Sequence, residues 1–314
     1  MSLAQSVPRR AVPPGWEWKS GLRAALQQWA RNWLALLFLV PSILLVVAVT
    51  FYPIIYAIRV SLYDTFYLNT VKFIGLRHYV KFLQDTAGWN NVWNSLFYTF
   101  GSLAVAVPFG LGLALLLNMP IRFRVLFRTL IIVPWIISQI VTALLWGWLV
   151  NPQFGPVNFF IREWFGAPFD FLGNTGSAMP TLILTNVWRS FPYPMLLLLA
   201  ALQTVPDEMH EAARVDGANA WQRFWRITLP LIRNTLLITV IMLSLHYFNM
   251  ITLPFILTGG GPVGVTDVLS LRVYREAFSF YHMGLASAVA VYIFIFNIMF
   301  SLLYIKILRT ESYY

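Results

Sequence analysis

Residues 33–56 read WLALLFLVPSILLVVAVTFYPIIY, twenty-four positions without a single charge. A helix rises about 1.5 Å per residue, so a run of this length reaches across a hydrocarbon layer of about 30 Å. Five further apolar runs follow, at 95–117, 127–150, 179–202, 231–257 and 284–308. Lipid offers the backbone no hydrogen-bond partners, so each run has to satisfy its peptide groups internally, as a helix. The expectation is an all-α polytopic membrane protein with six transmembrane helices. Pro41, Pro108, Pro134, Pro192 and Pro194 fall inside these runs and are expected to mark kinks.

Composition agrees. Only 11% of the 314 residues are charged, against about 25% in soluble proteins, and mean hydropathy is +0.68. No connection between the runs is long enough for a large soluble domain. The net charge of +10 does not indicate nucleic-acid binding, because the basic residues are scattered around apolar spans. Zero cysteines exclude disulfides and cysteine-ligated metals. The polar start of the chain and the length of the first run are not those of a secretory signal.

Orientation follows from lysine and arginine in the connections. If both ends lie on one side, that side carries Arg9, Arg10, Lys19, Arg23, Arg31, Arg122, Arg124, Arg128, Arg214, Arg223, Arg226, Arg233, Lys306 and Arg309, fourteen in all. The other side carries seven: Arg59, Lys72, Arg77, Lys81, Arg162, Arg272 and Arg275. Both termini are therefore expected to be cytoplasmic. The expected division is a cytoplasmic segment 1–31, a transmembrane domain 32–309 with a cytoplasmic loop at 204–230, and a cytoplasmic tail 310–314. Before the first run, Leu22, Ala25, Leu26 and Trp29 repeat at helical spacing among Lys19, Arg23 and Arg31. They fit an amphipathic helix on membrane lipid, or equally an extension of the first span.

The loop contains HEAARVDGANAWQRFWRITLP, residues 210–230. Pro206, Asp207 and Glu208 suit a helix start, and Asp216-Gly217 a turn. Asn219 with Gln222 has the spacing of a capping box opening a second short helix. Trp221, Phe224 and Trp225 share one face of it, and Pro230 is expected to close the unit. Such a segment is too polar to insert and too aromatic to stay in water, so it should dock on a partner or rest on the bilayer interface.

Glu211, Ala212, Ala213, Gly217, Ile227, Leu229 and Pro230 reproduce the pattern EAA---G---------I-LP. This resembles the coupling loop of permease subunits of binding-protein-dependent ABC importers. FLVPSILLVVAVTFYPIIYAIRVSLYD (38–64) and ILTGGGPVGVTDVLSLRVYREAF (256–278) are similar to the carbohydrate-importer branch. The first of these looks more like a subunit paired with a second, related permease than like a homodimer. The resemblance implies a type I ABC importer permease fold in a bacterial or archaeal plasma membrane. It also implies three kinds of partner: a second homologous permease, cytoplasmic ABC ATPase subunits and an extracytoplasmic solute-binding protein. The implied cargo is a sugar, sugar derivative or polyol, with glycerol phosphate or a sulfonated sugar as alternatives. ATPase coupling would fall to Glu211, Ala212, Ala213, Asp216, Gly217, Trp221, Phe224, Trp225, Leu229 and Pro230, with Glu211 and Gly217 central.

No G-x-x-x-x-G-K-[ST] occurs, so ATP–Mg is expected on the partner ATPase and no cofactor in this chain. Gly259, Gly260, Gly261 and Pro262 read as a flexible hinge of the external loop, and the family resemblance implies that they touch the binding protein. His210-Glu211 begins like a zinc-protease motif, but Arg214 stands where the second histidine belongs. Half of an ion-coupled secondary carrier is a rival reading. All twelve carboxylates, however, lie outside the spans, where such carriers commonly need one.

Arg189 lies inside the fourth span, where a charge costs on the order of 2.5–3.5 kcal/mol. Trp188, Phe191 and Tyr193 surround it in sequence, and His246 and Asn249 lie three apart in the fifth span. These six are the candidate substrate path, since polar groups beside aromatic rings suit a sugar. Two readings of Arg189 stand: a cargo contact, or a donor to backbone carbonyls that holds the bundle together.

Overall fold

The computed structural model describes residues 33–67 and 69–309. The expected amphipathic helix before the first span and the tail after Arg309 lie outside the described residues. The chain divides into two units, one up to Tyr56 and one from Ala57. In the first, helix α1 (Trp33–Val46) runs through Pro41 and continues as a π-helical turn, Val47–Phe51. The helical run from Leu37 to Ser61 is 25 residues long, and its last stretch is α2 (Tyr52–Ser61).

The second unit contains an antiparallel hairpin, β1 (Tyr63–Phe66) and β2 (Asn69–Phe73), in which Tyr63 faces Phe73. The short helix α3 (Arg77–Gln84) leads to α4 (Thr86–Asn118), 33 residues long. The Asp85 carboxylate caps α4 by accepting from Ala87 N at 3.0 Å. Pro108 lies inside α4 without ending it.

The run expected as a third span is two helices, α5 (Arg124–Ile136) and α6 (Gln139–Leu149), set at 94°. Ile137 and Ser138 are extended between them, and the Ser138 hydroxyl caps α6 by accepting from Val141 N at 3.3 Å. Helix α7 (Pro156–Phe165) follows. The fourth run is likewise divided, into α8 (Ala178–Ser190) and α9 (Pro192–Leu202), with Phe191 at the junction. Pro192 and Pro194 thus stand in the first turn of α9, where a missing N–H leaves no helical bond unmade.

Beyond α10 (Asp207–Val215) and α11 (Ala220–Arg223), a π-helical turn at Phe224–Thr228 runs directly into α12 (Leu229–Phe248). The result is one 29-residue helix from Ala220 to Phe248. Two expectations change here. Pro230 does not end the insert, because it occupies the first positions of α12, where proline is tolerated. The fifth span stops at Phe248 rather than 257; Asn249 forms a turn, and Pro254–Thr258 is a separate π-helical turn. The short helix α13 (Leu269–Tyr274) and the long α14 (Met283–Arg309) complete the fold. Among the described residues, four helices are long and apolar enough to cross a membrane, or five if the bent pair counts as one.

The core runs the length of this unit. Its centre gathers Tyr98, Leu182, Leu243, Tyr247 and Leu253. Toward the insert, Ala114 and Leu117 of α4 meet Met195, Leu198 and Leu202 of α9 and Ile232 of α12. At the opposite end Phe82, Phe248, Leu269 and Val289 join. Gly110 sets the α4–α9 approach: a Cβ there would lie 3.0 Å from both Met195 N and the Pro194 ring. Small residues let membrane helices come this close. Gly110→Leu should therefore force α4 and α9 apart and destabilise the subunit by about 1–3 kcal/mol. A lowered thermal midpoint of the detergent-solubilised protein checks this, with Gly112→Leu, at which a Cβ meets nothing within 4 Å, as the comparison expected to cost less.

Candidate functional site

The insert between α9 and α12 folds as a helix–turn–helix. Asp207 and Glu208 occupy the first turn of α10, with Pro206 just before it as N-cap rather than as first helical residue. Their carboxylates complement the positive end of the helix dipole. At the other end Asp216 N and Gly217 N donate to Ala212 O and Arg214 O, both at 3.0 Å. Gly217 has φ +80°, and a Cβ at that position would meet nothing within 4 Å. Its requirement is conformational, since the left-handed region is costly for residues other than glycine. The capping box is present in full: Asn219 N donates to Gln222 Oε1 and Gln222 N to Asn219 Oδ1, both at 2.9 Å.

Glu211 and Ala212 are exposed on α10. Trp221 is 70% exposed and meets Trp225 edge-on at 5.5 Å, while Phe224 lies 5.4 Å from Trp225. The sequence-predicted aromatic face is therefore one contiguous cluster, unlike the scattered apolar residues of an ordinary surface. Behind it a groove of about 670 Å³ opens between the insert and the end of α4, lined by Leu111, Leu115, Arg214, Trp221 and Phe224. Asp216, Gly217 and Ala213 border a second hollow with Gln222 and Arg226. Leu229 and Pro230 lie where the insert becomes α12.

The candidate substrate path is only partly assembled. Arg189, Tyr193 and His246 line a cavity of about 260 Å³ together with Trp135, Ser190, Met242 and Leu243. Arg189 Nε donates to Ile137 O at 3.3 Å, the carbonyl freed at the break between α5 and α6. The structural reading of Arg189 thus has a specific partner, and the same side chain borders the cavity. The Trp135 and Tyr193 rings lie 6.0 Å apart. Behind them Ser190 Oγ and Tyr247 OH are hydrogen-bonded at 2.6 Å.

The other three predicted residues lie elsewhere. Trp188 stacks edge-on against Trp146 at 6.0 Å, and Phe191 against Phe109 at 4.9 Å. Asn249, the C-cap of α12, does not line the cavity; it forms a reciprocal amide pair with Asn297 of α14, at 3.2 and 3.1 Å. Trp135 is the residue the sequence reading missed. Its position next to Pro134, inside a span, was the available signal.

The glycine-rich loop is a tied turn rather than a flexible hinge. Gly259 and Gly260 have φ of +57° and +85°, and a Cβ on Gly260 would strike the Arg275 guanidinium. Thr266 Oγ1 donates to Gly261 O at 2.6 Å, and Asn94 Nδ2 to Gly264 O at 2.8 Å. Pro262 follows Gly261 through a cis peptide, with Val263 94% exposed beside it. Charges underneath fix the loop to α4. Arg272 bridges Asp85 (2.8 Å) and Glu276 (3.1 Å), and Arg275 Nη2 makes a charge contact with Asp267 Oδ1 at 2.7 Å. Burial pushes the Asp267 carboxyl above its ordinary value, against the pull of Arg275.

Residues 106–309 match the family described as binding-protein-dependent transport system inner membrane component. The Thermococcus litoralis trehalose/maltose transport system permease protein MalF is 30% identical over 280 residues, 88% of this chain and 94% of the relative. The Agrobacterium fabrum sulfoquinovosyl glycerol transport system permease protein SmoG is 30% identical over 288 residues, 89% of this chain and 91% of the relative. In fold, the chain is similar to a bacterial ABC transporter involved in import of the acidic polysaccharide alginate. That similarity has a TM-score of 0.80 at 23% identity, covering 92% of this chain and 99% of the other. An insert with an EAA pattern and an exposed aromatic face, on helices that border a cavity, belongs with this company and not with ion-coupled carriers: the chain is a member of the binding-protein-dependent transport system inner membrane components, multi-pass permease subunits of ABC importers.

Proposed function

We propose that this chain is one half of the translocation path of an ATP-driven importer for a sugar, sugar derivative or polyol, and that the loop 204–230 is where a cytoplasmic ATPase moves it. In this reading the chain crosses the membrane six times with both ends in the cytoplasm. It pairs with a second, homologous permease and receives cargo from an extracytoplasmic solute-binding protein at the loop 259–262. ATP–Mg stays on the ATPase subunits, and this chain carries no cofactor. Relatives whose names specify trehalose/maltose and sulfoquinovosyl glycerol support a carbohydrate-like cargo.

The observation that carries the reading is the unbroken helix from Ala220 to Phe248. Trp221, at the docking face, and His246, at the cavity, lie on the same rod, about 38 Å apart at helical rise. On the other side of the turn, α10 joins through residues 203–206 to α9, whose first turn holds Tyr193 of the same cavity. Displacement of the insert therefore acts on two helices that wall the cavity. Glu211 and the aromatic face supply the grip, since buried aromatic anchors dominate small interfaces.

Three measurements test this. Gly217→Val should abolish uptake with the chain still inserted, because a β-branched residue at φ +80° adds about 1–2 kcal/mol of strain and reshapes the turn. Gly217→Asn, which tolerates that conformation, should retain most of the activity. Binding-protein-stimulated ATP hydrolysis by the reconstituted complex, read beside uptake, distinguishes a coupling element from a plain loop; normal values in Gly217→Val refute the docking role. Glu211→Ala should act at the same interface and more mildly, as an exposed charge contact contributes less than about 1 kcal/mol.

At the cavity, Trp135→Ala and Tyr193→Ala should lower uptake at least several-fold with assembly intact. Arg189→Ala should in addition lower the thermal midpoint, because the Ile137 carbonyl loses its donor; the expected cost is about 1–3 kcal/mol. A stability loss with normal uptake assigns Arg189 to the fold alone.

For topology, cysteines at Ser2, Thr175 and Ser312 of this cysteine-free chain separate the two faces. A membrane-impermeant thiol reagent on intact cells should label the Thr175→Cys variant and neither terminal one. Labelled termini overturn the orientation.

A further inference from the structure

Three arginines stand at the start of α5: Arg122 just before it, Arg124 at its first position and Arg128 one turn later. Among the described residues no carboxylate lies within ion-pair distance of any of them. Arg124 and Arg128 are half-buried and aim at one neutral group. With the Gln203 amide turned to present its oxygen, Arg128 Nη2 donates to it at 2.9 Å and Arg124 Nη2 at 3.0 Å. The Nε of each is buried without a partner.

Two permanently charged guanidinium groups thus share a single uncharged acceptor. Like charges this close repel unless an anion lies with them. The first turn of α5 does nothing to relieve this. It contains no acidic residue, and Phe123 offers no side-chain cap, so the positive end of the peptide dipole adds to the field. The chemistry that would satisfy the cluster is a phosphate, whose oxygens accept paired N–H donors from a guanidinium fork.

The surroundings say where that phosphate comes from. Phe123 is 75% exposed and Val125 78%, with Leu126 and Phe127 exposed beside them. A cationic cluster rimmed by exposed apolar side chains at the end of a membrane helix matches a molecule that is anionic at one end and hydrocarbon at the other. A free phosphate would need no such rim.

We infer that Arg124 and Arg128, flanked by Arg122, bind the headgroup phosphate of an anionic phospholipid. Gln203 closes α9 and opens the connection to the insert, so the lipid sits at the root of the coupling element. This assignment rests on the chain spanning a membrane, not on what it transports, so a binding experiment can fail without touching the importer reading.

The test uses the whole complex, co-expressed with its partner subunits and reconstituted into phosphatidylcholine nanodiscs with or without phosphatidylglycerol. Retained phosphatidylglycerol is counted by native mass spectrometry, and thermal midpoints are recorded in parallel. The wild type should retain phosphatidylglycerol and gain thermal stability from it. The Arg124→Gln, Arg128→Gln double variant should bind it about thirtyfold more weakly, and Arg122→Gln about fivefold, as each basic residue near an anionic headgroup contributes a roughly fivefold factor. Arg122 is exposed and outside the Gln203 contact, so its variant reports even if the double variant assembles poorly. Undiminished retention in both variants overturns the proposal. If inorganic phosphate added to pure phosphatidylcholine discs reproduces the stabilisation, the site takes free phosphate and the lipid assignment falls. If the double variant loses its partner subunits even in pure phosphatidylcholine, an acidic group of a partner is the missing anion, and the lipid assignment falls as well.

Discussion

Hydrocarbon offers no water to a backbone carbonyl released at a helix break, and the whole fold is arranged around that fact. Two of the apolar runs are broken, at Ile137–Ser138 and at Phe191. Each break is satisfied locally or from a neighbouring helix. Ser138 caps the helix that follows it, and Arg189 reaches across from α8 to the Ile137 carbonyl. Proline at 192 begins a helix where no N–H is needed. Because the breaks are satisfied, they can be placed where shape is required, and the cavity bordered by Trp135, Arg189, Tyr193 and His246 lies beside both of them.

The unbroken elements have the opposite task. From Ala220 to Phe248 the backbone passes through a π-helical turn and a proline without interruption. The extra residue of a π turn changes the helical phase, which lets one helix present aromatic residues at one end and a buried stripe of Ile232, Thr239 and Leu243 at the other. Packing keeps this rod in place: Ile232 is in the cluster formed by α4 and α9, and Phe248 is in the cluster at the far end. The glycine-rich loop is held with equal firmness by Arg272 and its three partners, Asp85, Asn91 and Glu276.

What could be read from sequence was whatever depends on short-range chemistry. The Asn219–Gln222 capping box, the turn at Gly217 and the aromatic face at 221, 224 and 225 all follow from side chains within four residues of one another. Reading failed where a distant partner decides. Pro134 signals a kink, yet the carbonyl freed at the 94° bend, that of Ile137, takes its donor from Arg189, fifty-two positions further along the chain. Helical spacing predicts Asn249 beside His246 at the cavity, yet Asn297 on α14 captures its amide. The three glycines at 259–261 suggest looseness, whereas Gly259 and Gly260 use positive φ to form a tied turn, and the missing Cβ of Gly260 makes room for Arg275. Glycine content reports conformational permission, and neighbours determine whether it is used for motion or for fit.

A rod that joins a docking face to a cavity wall has no preferred direction of transmission. If seating a partner on Trp221 and Trp225 alters the free energy of the walls around Met242 and His246, then filling the space between those walls must alter the partner's affinity by the same factor. Under the proposed coupling, the continuity of residues 220–248 makes the subunit a reporter as well as a receiver: occupancy between those walls is legible at the aromatic face, and the energy of that message equals the energy delivered the other way.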